Sequence, residues 1–286
     1  MQINYSMAIR FGEIRMHYTI SEMSKLLGVT THMLRYYEKI GMIRPEVNPE
    51  NGYRYYSVID TRRFNLSRQL FAAGIPLEQC VSLMTEMNQE QIEKLLDDTI
   101  RQKRIEIERI KASLGFLECT KEYYTGIDHD VGKIQIENFP RMWRLTLSNC
   151  ERPVVDSSLK KEKQEWLACQ PAVFWVSRIP NSILRQMAEG EIDYEYGLMC
   201  YESDAKALGL HKTSNVEIVP GGDYLVTLHR KIERGPFVWD DIEAVTQYIQ
   251  ENKLSFYGDA FSYIVASRME DGVAANYHRL FVKIYT

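Results

Sequence analysis

The sequence predicts an α+β fold in unlike parts, and three observations lead to it. Residues 18–86 crowd short helical patterns around turn signals. Residues 88–125 contain almost no helix breaker. Beyond Gly132, short β-prone segments alternate with helical ones to the end of the chain. At 286 residues and 45% apolar content, the chain exceeds one ordinary domain and can bury a sizeable core. The expected organisation is an extension at 1–17, a winged helix-turn-helix unit at 18–86, a dimerisation helix at 87–126 and an antiparallel-sheet domain at 127–286.

Charge divides the same way. Residues 1–85 carry 10 Lys and Arg against 7 Asp and Glu, whereas residues 126–286 carry 18 against 23, within a net charge of −4. A basic head on an acidic body points to an anionic partner for the head alone. With no eighteen-residue apolar run and no apolar leader, neither a membrane span nor a secretory signal is expected. The cysteines, Cys80, Cys119, Cys150, Cys169 and Cys200, form no C-x-x-C pair. That fits a reduced cytoplasmic protein without a metal centre.

In the head, Thr19-Ile20-Ser21-Glu22-Met23 starts a helix. A hydroxyl is at hand for the free N–H groups, and Glu22 suits the positive end of the dipole. Gly28 ends that helix. Thr30 or Thr31 caps a second, which runs to about Ile40 and stops at Gly41. The pair makes a helix-turn-helix. Asn51-Gly52 predicts a hairpin with Tyr53–Tyr56 as its return strand. Arg54 and Tyr56 then share one face, and Tyr53 and Tyr55 the other. A wing of this kind lays an Arg and a Tyr on a phosphate backbone while the second helix enters a major groove. Two more helices follow, split at Ala73-Gly74-Ile75-Pro76, and the first carries Arg62, Arg63 and Arg68.

In the long segment, Leu96, Ile100, Lys103, Ile107, Ile110, Leu114, Leu117, Lys121 and Tyr124 recur at alternating spacings of 4 and 3. This is a heptad seam suited to pairing with a second copy, its apolar members being Leu96, Ile100, Ile107, Ile110, Leu114 and Leu117. Gly126 is the expected stop. Beyond it, strands are expected near 133–137, 142–149, 172–179, 194–201, 223–230, 259–266 and 276–285. Helices are expected near 156–168, 181–189 and 237–252. They compose two similar halves, divided near residue 205, that share one antiparallel sheet.

Tyr18-Thr19-Ile20, Gly28-Val29-Thr30, Leu34-Arg35-Tyr36-Tyr37-Glu38, Gly41-Met42-Ile43, Gly52-Tyr53-Arg54-Tyr55-Tyr56 and Ala73-Gly74-Ile75 closely resemble the MerR family of bacterial transcription regulators. The long helix is similar to that family's antiparallel dimerisation helix. Phe139-Pro140, Tyr196-Gly197, Pro220-Gly221-Gly222-Asp223-Tyr224 and Gly258-Asp259-Ala260 before Tyr263 resemble the GyrI-like effector domain of its multidrug-sensing members. The resemblance implies a homodimer on double-stranded promoter DNA that kinks and untwists the spacer, so that RNA polymerase is reached indirectly. It also implies that Tyr36, Tyr37, Arg54 and Tyr56 touch backbone, that Thr31, His32 and Arg35 face the major groove, and that Arg62 or Arg63 reaches flanking phosphates.

The implied effector is an aromatic or lipophilic small molecule. Tyrosine occurs 18 times, and all four tryptophans lie beyond residue 140. Aromatic faces hold lipophilic and cationic molecules, so Trp143, Trp175, Tyr196, Trp239, Ser262, Tyr263 and Tyr277 are the candidate ligand residues. Drug-sensing relatives place a buried glutamate where this chain has Ser262. An uncompensated buried cation is costly. Either another acid substitutes, Glu195 being the candidate although alternation sets it opposite Tyr194 and Tyr196, or the pocket prefers neutral ligands.

No cofactor and no catalytic constellation are expected. Two rivals are weaker. A metal- or redox-sensing regulator would use Cys119 but lacks a second thiol in a short following loop. For a small-molecule hydrolase no Ser-His-Asp or Cys-His spacing stands out, and the loss of the acid at Ser262 argues against the paired carboxylate it would need at the pocket.

Overall fold

The computed structural model describes residues 17–149, 152–153, 157–186, 192–232 and 242–285. The chain divides into two compact units, residues 1–103 and 104–286, with the boundary inside one continuous helix.

The first unit begins with strand β1 (Tyr18–Thr19) and helix α1 (Ile20–Leu27). Thr19 caps α1 in a capping box with Glu22, and Gly28 closes it in the left-handed region at φ +64°. Helix α2 (Thr31–Lys39) is capped by Thr30, whose hydroxyl accepts the Met33 amide at 3.2 Å. Strands β2 (Glu46–Val47) and β3 (Arg54–Tyr56) form the wing. Sequence reasoning missed β1, which pairs with the other side of β3 and makes it the central strand. Helices α3 (Val58–Ala72) and α4 (Leu77–Thr85) complete the unit. Its core is Met23, Leu34, Tyr37, Met42, Ile43, Tyr56, Phe64, Ile75 and Cys80.

Helix α5 (Gln89–Asp130) has 42 residues, roughly 63 Å at about 1.5 Å per residue. It passes through Gly126, the expected stop. A mid-helix glycine costs about 1 kcal/mol. The next residue, Ile127, is buried against Leu228, Ala266, Ala275 and Tyr277, and burying such a side chain contributes about 1.5–3 kcal/mol. Tertiary packing therefore wins, and the chain turns only after Asp130, where Gly132 takes φ +79°.

The second unit is one nine-stranded antiparallel sheet. Its strands are β4 (Ile134–Phe139), β5 (Met142–Asn149), β6 (Arg152–Pro153), β7 (Phe174–Ile179), β8 (Glu195–Tyr201), β9 (Val216–Val219), β10 (Gly222–Ile232), β11 (Ser255–Glu270) and β12 (Val273–Tyr285). The order is β4-β10-β12-β11-β7-β8-β5-β6, with β9 beside β5. Strands β6 and β9 and helix α8 (Glu202–Ala207) were not expected. Helices α6 (Ser157–Leu167) and α8 supply Leu159, Trp166 and Ala205 to a core that covers the outer face of β5 and β8. Helices α7 (Asn181–Gln186) and α9 (Glu243–Glu251) do the same over β10, β11 and β12. Two helix-covered cores thus share one sheet, but α7, on the N-terminal side of the expected division near residue 205, packs in the second of them.

On the inner face, Phe139, Met142, Val176, Met199, Val219, Tyr224, Val226, Phe261 and Phe281 form a single buried cluster. Its members come from strands throughout the sheet, and only Pro140 and Arg141 separate β4 from β5. The sheet curls around that cluster.

Candidate nucleic-acid interface and effector face

In the first unit, helical periodicity sets Leu34 and Tyr37 inward and leaves Thr31, His32, Arg35 and Tyr36 exposed on the opposite side of α2. Arg62 and Arg63 are exposed on α3, while Phe64 and Ser67 face the core. These six expected DNA-contact residues are accessible. Arg54 is half-exposed, and its Nε donates to Glu38 Oε1 at 2.8 Å.

Two expected backbone contacts need correction. Tyr37 is buried, its ring centroid 4.7 Å from that of Phe64. Tyr56 is fully buried, and its hydroxyl lies 3.5 Å from Glu38 Oε2. Burial, then the Glu38 charge, pushes its phenol up to about 12. Alternation correctly put Arg54 and Tyr56 on one face, but that face turns toward α2. The reason is β1: with β3 central in its small sheet, one face must close the core. Asp60, also overlooked, ties the wing's start to α3. It accepts the Arg44 amide at 3.0 Å and both the Ser57 amide and hydroxyl, at 2.9 and 2.7 Å. The Ser57-x-x-Asp60 spacing was the available signal.

Along α5, Leu96, Ile100, Ile107, Ile110, Leu114 and Leu117 are 36–68% exposed. A row of six apolar side chains on one helix face is more than scattered surface residues.

In the second unit the expected ligand residues do not assemble. Trp143, Trp175 and Tyr196 belong to the outer face, with Trp143 and Trp175 in the core beneath α6 and Tyr196 stacked on Trp175 at 5.0 Å. Ser262 is buried beside His278, its Oγ 3.4 Å from Nδ1. It pairs with Leu280 on the face opposite Phe261 and Tyr263. Trp239 lies outside the described residues. Only Tyr263 and Tyr277 reach the inner face, where Tyr277 is buried and bonded to Glu270. Strand alternation is the reason: aromatic content says nothing about which of two faces a residue takes.

The inner face carries an ionic cluster instead. Arg144, fully buried, reaches Thr146 Oγ1 at 2.7 Å, Glu217 Oε2 at 3.3 Å and Glu195 Oε2 at 3.1 Å. Arg178 donates to Glu217 at 2.7 Å and to Glu195 Oε1 at 2.9 Å. Burial, then Arg178, lowers the pKa of Arg144. Glu195 does lie opposite Tyr196, as alternation required, but two guanidinium groups already hold it. Beside α5, a cavity of about 370 Å³ is lined by Tyr123, Gly126, Glu137, Val226, Leu228 and Arg279, among others. A volume of that order suits a small organic molecule.

Of the thiols, Cys80, Cys169 and Cys200 are buried and Cys119 is exposed. Among the described residues no group of three or more His, Cys, Asp or Glu is placed to hold a metal ion, and no helix is long and apolar enough to cross a membrane.

The first unit defines a winged helix-turn-helix protein. The profile of the MerR family regulatory proteins matches residues 19–56. Among curated relatives, the multidrug-efflux transporter 2 regulator of Bacillus subtilis (strain 168) is 32% identical over 97 residues, 34% of this chain and 34% of the relative. The multidrug-efflux transporter 1 regulator of the same organism is 33% identical over 107 residues, 37% of this chain and 36% of the relative. The matched stretch spans about a third of those relatives' length. The cryo-EM structure of the EcmrR–DNA complex in EcmrR-RPo aligns over 93% of this chain and 100% of that chain, at 17% identity and a TM-score of 0.32.

Proposed function

We propose that the protein is a dimeric, effector-responsive transcription regulator that acts on promoter DNA in the cytoplasm. The observation that carries this reading is the exposed face of α2, with Thr31, His32, Arg35 and Tyr36, inside the segment that matches the MerR family. A helix-turn-helix presents its second helix to the major groove, and Arg62, Arg63 and Arg54 flank it as phosphate contacts. The α5 stripe pairs two copies. The resulting dimer distorts the promoter spacer and so reaches RNA polymerase through the DNA. The inner face of the second unit, with its cavity beside Tyr123 of α5, is where a small aromatic effector acts.

Fluorescence anisotropy on a promoter fragment tests the reading. Arg35→Ala and His32→Ala should reduce discrimination between the operator and unrelated duplexes. Arg62→Ala should weaken binding to both. Wild-type binding without sequence preference, unchanged in all three variants, would refute it.

A further inference from the structure

The inner face contains a cage whose centre is the protein's own guanidinium. Arg279 of β12 donates through Nη2 to Glu137 of β4 and through Nη1 to the Tyr263 hydroxyl at 3.2 Å. Its Cζ lies 5.2 Å from the centroid of the Phe139 ring. Tyr123 lines the same cavity as Arg279, and Tyr201 packs with Tyr263 against the cluster that contains Phe139. The Arg279 and Glu137 side chains are 17% and 28% exposed. Burial works against the Arg279 charge, but Tyr263, Tyr123 and Glu137 outweigh it and hold the pKa above its ordinary value.

A carboxylate surrounded by aromatic groups is the chemistry that recognises an organic cation. The acid is required because a buried cation without a counter-charge is costly. Resting on the reading that an effector acts on this inner face, we propose that Arg279 is a tethered surrogate ligand, occupying a cation cage of Glu137, Phe139, Tyr123, Tyr201 and Tyr263 that an aromatic cation enters only by displacing it. The cavity supplies the route, since Arg279, Glu137 and Tyr123 all line its wall. Tyr123 belongs to α5 and interacts with Tyr263, so displacement is felt directly by the helix that carries the exposed apolar stripe. Glu137 thereby takes the part of the acid absent at position 262. Affinity for cations is set by competition with an internal rival.

The test is calorimetric titration of the full-length protein with phenylguanidinium and with phenylurea, its neutral counterpart of similar shape. Arg279→Ala should bind phenylguanidinium at least about tenfold more tightly than wild type, with no gain for phenylurea. Glu137→Gln combined with Arg279→Ala should lose the gain. Equal affinity in wild type and Arg279→Ala, or a gain that survives in the double variant, overturns the proposal. If Arg279→Ala is too unstable to titrate, its unfolding midpoint should rise with phenylguanidinium and not with phenylurea, and no rise is equally fatal. Salt-dependent DNA binding, measured on the same wild-type preparation, does not pass through Arg279. Loss of the cage with DNA binding intact therefore leaves the regulator reading standing, and the reverse result leaves the cage.

Discussion

Arg54 and Glu38 hold each other across the wing. The guanidinium Nε donates to Oε1 at 2.8 Å, while the Tyr56 hydroxyl sits 3.5 Å from Oε2. An exposed pair of this kind contributes little to stability, and a phosphate can replace it. Arg54→Ala should therefore lower the slope of log affinity against log salt by about 0.9. Glu38→Gln, which frees the guanidinium, should tighten DNA binding. A salt titration in which Arg54→Ala leaves the slope unchanged would place Arg54 on Glu38 and off the DNA.

The α5 stripe makes the oligomeric state testable. Ile110 and Leu117 are 68% and 62% exposed, so changing either to Glu disturbs little packing within the chain. It would put a carboxylate into a paired seam. Ile110→Glu with Leu117→Glu should sediment as a monomer with unchanged helix content, whereas the wild type should sediment as a dimer. Identical sedimentation would mean that the seam pairs elsewhere.

Asp60 is 5% exposed and accepts three hydrogen bonds. Asp60→Ala strands the Arg44 and Ser57 donors and removes half of a capping box. The expected cost is about 2–3 kcal/mol, read from urea unfolding. Ser57→Ala should cost about 1 kcal/mol, because the Arg44 contact survives.

The Glu270 carboxyl is pulled down to about 2 from an ordinary 4.5 by Tyr277, then Arg268 and Arg230. A group whose folded pKa lies below its unfolded value stabilises the fold fully above the unfolded value, and that contribution disappears as pH falls through the folded one. Between about pH 4.5 and 2, the wild type should lose stability that Glu270→Gln never had. Unfolding midpoints converging through that window would support this; parallel curves would exclude it.

The first unit was nearly all legible because its determinants are local. The Thr19–Glu22 and Thr30–Met33 caps and the Asn51-Gly52 turn act within a few residues of themselves. The exposed α2 face follows from a period of 3.6. The wing's inward face was missed because it depends on β1 pairing with β3, a partnership between two-residue and three-residue strands that no periodicity announces. Gly126 misled for a similar reason: its helix penalty is local, while Ile127's burial against β10, β11 and β12 is not.

By itself, the sequence determined the helix-turn-helix, the long apolar seam and the rough count of strands and helices in the second unit, since each is written in spacing and capping residues. The tertiary structure alone decided which aromatic residues face inward. Trp143, Trp175 and Ser262 took the outer face, while Glu137 and Arg279, 142 residues apart, met on the inner one. Strand alternation offers two faces of equal standing, and only the curling of the whole sheet around Phe139, Phe261 and Phe281 selects between them.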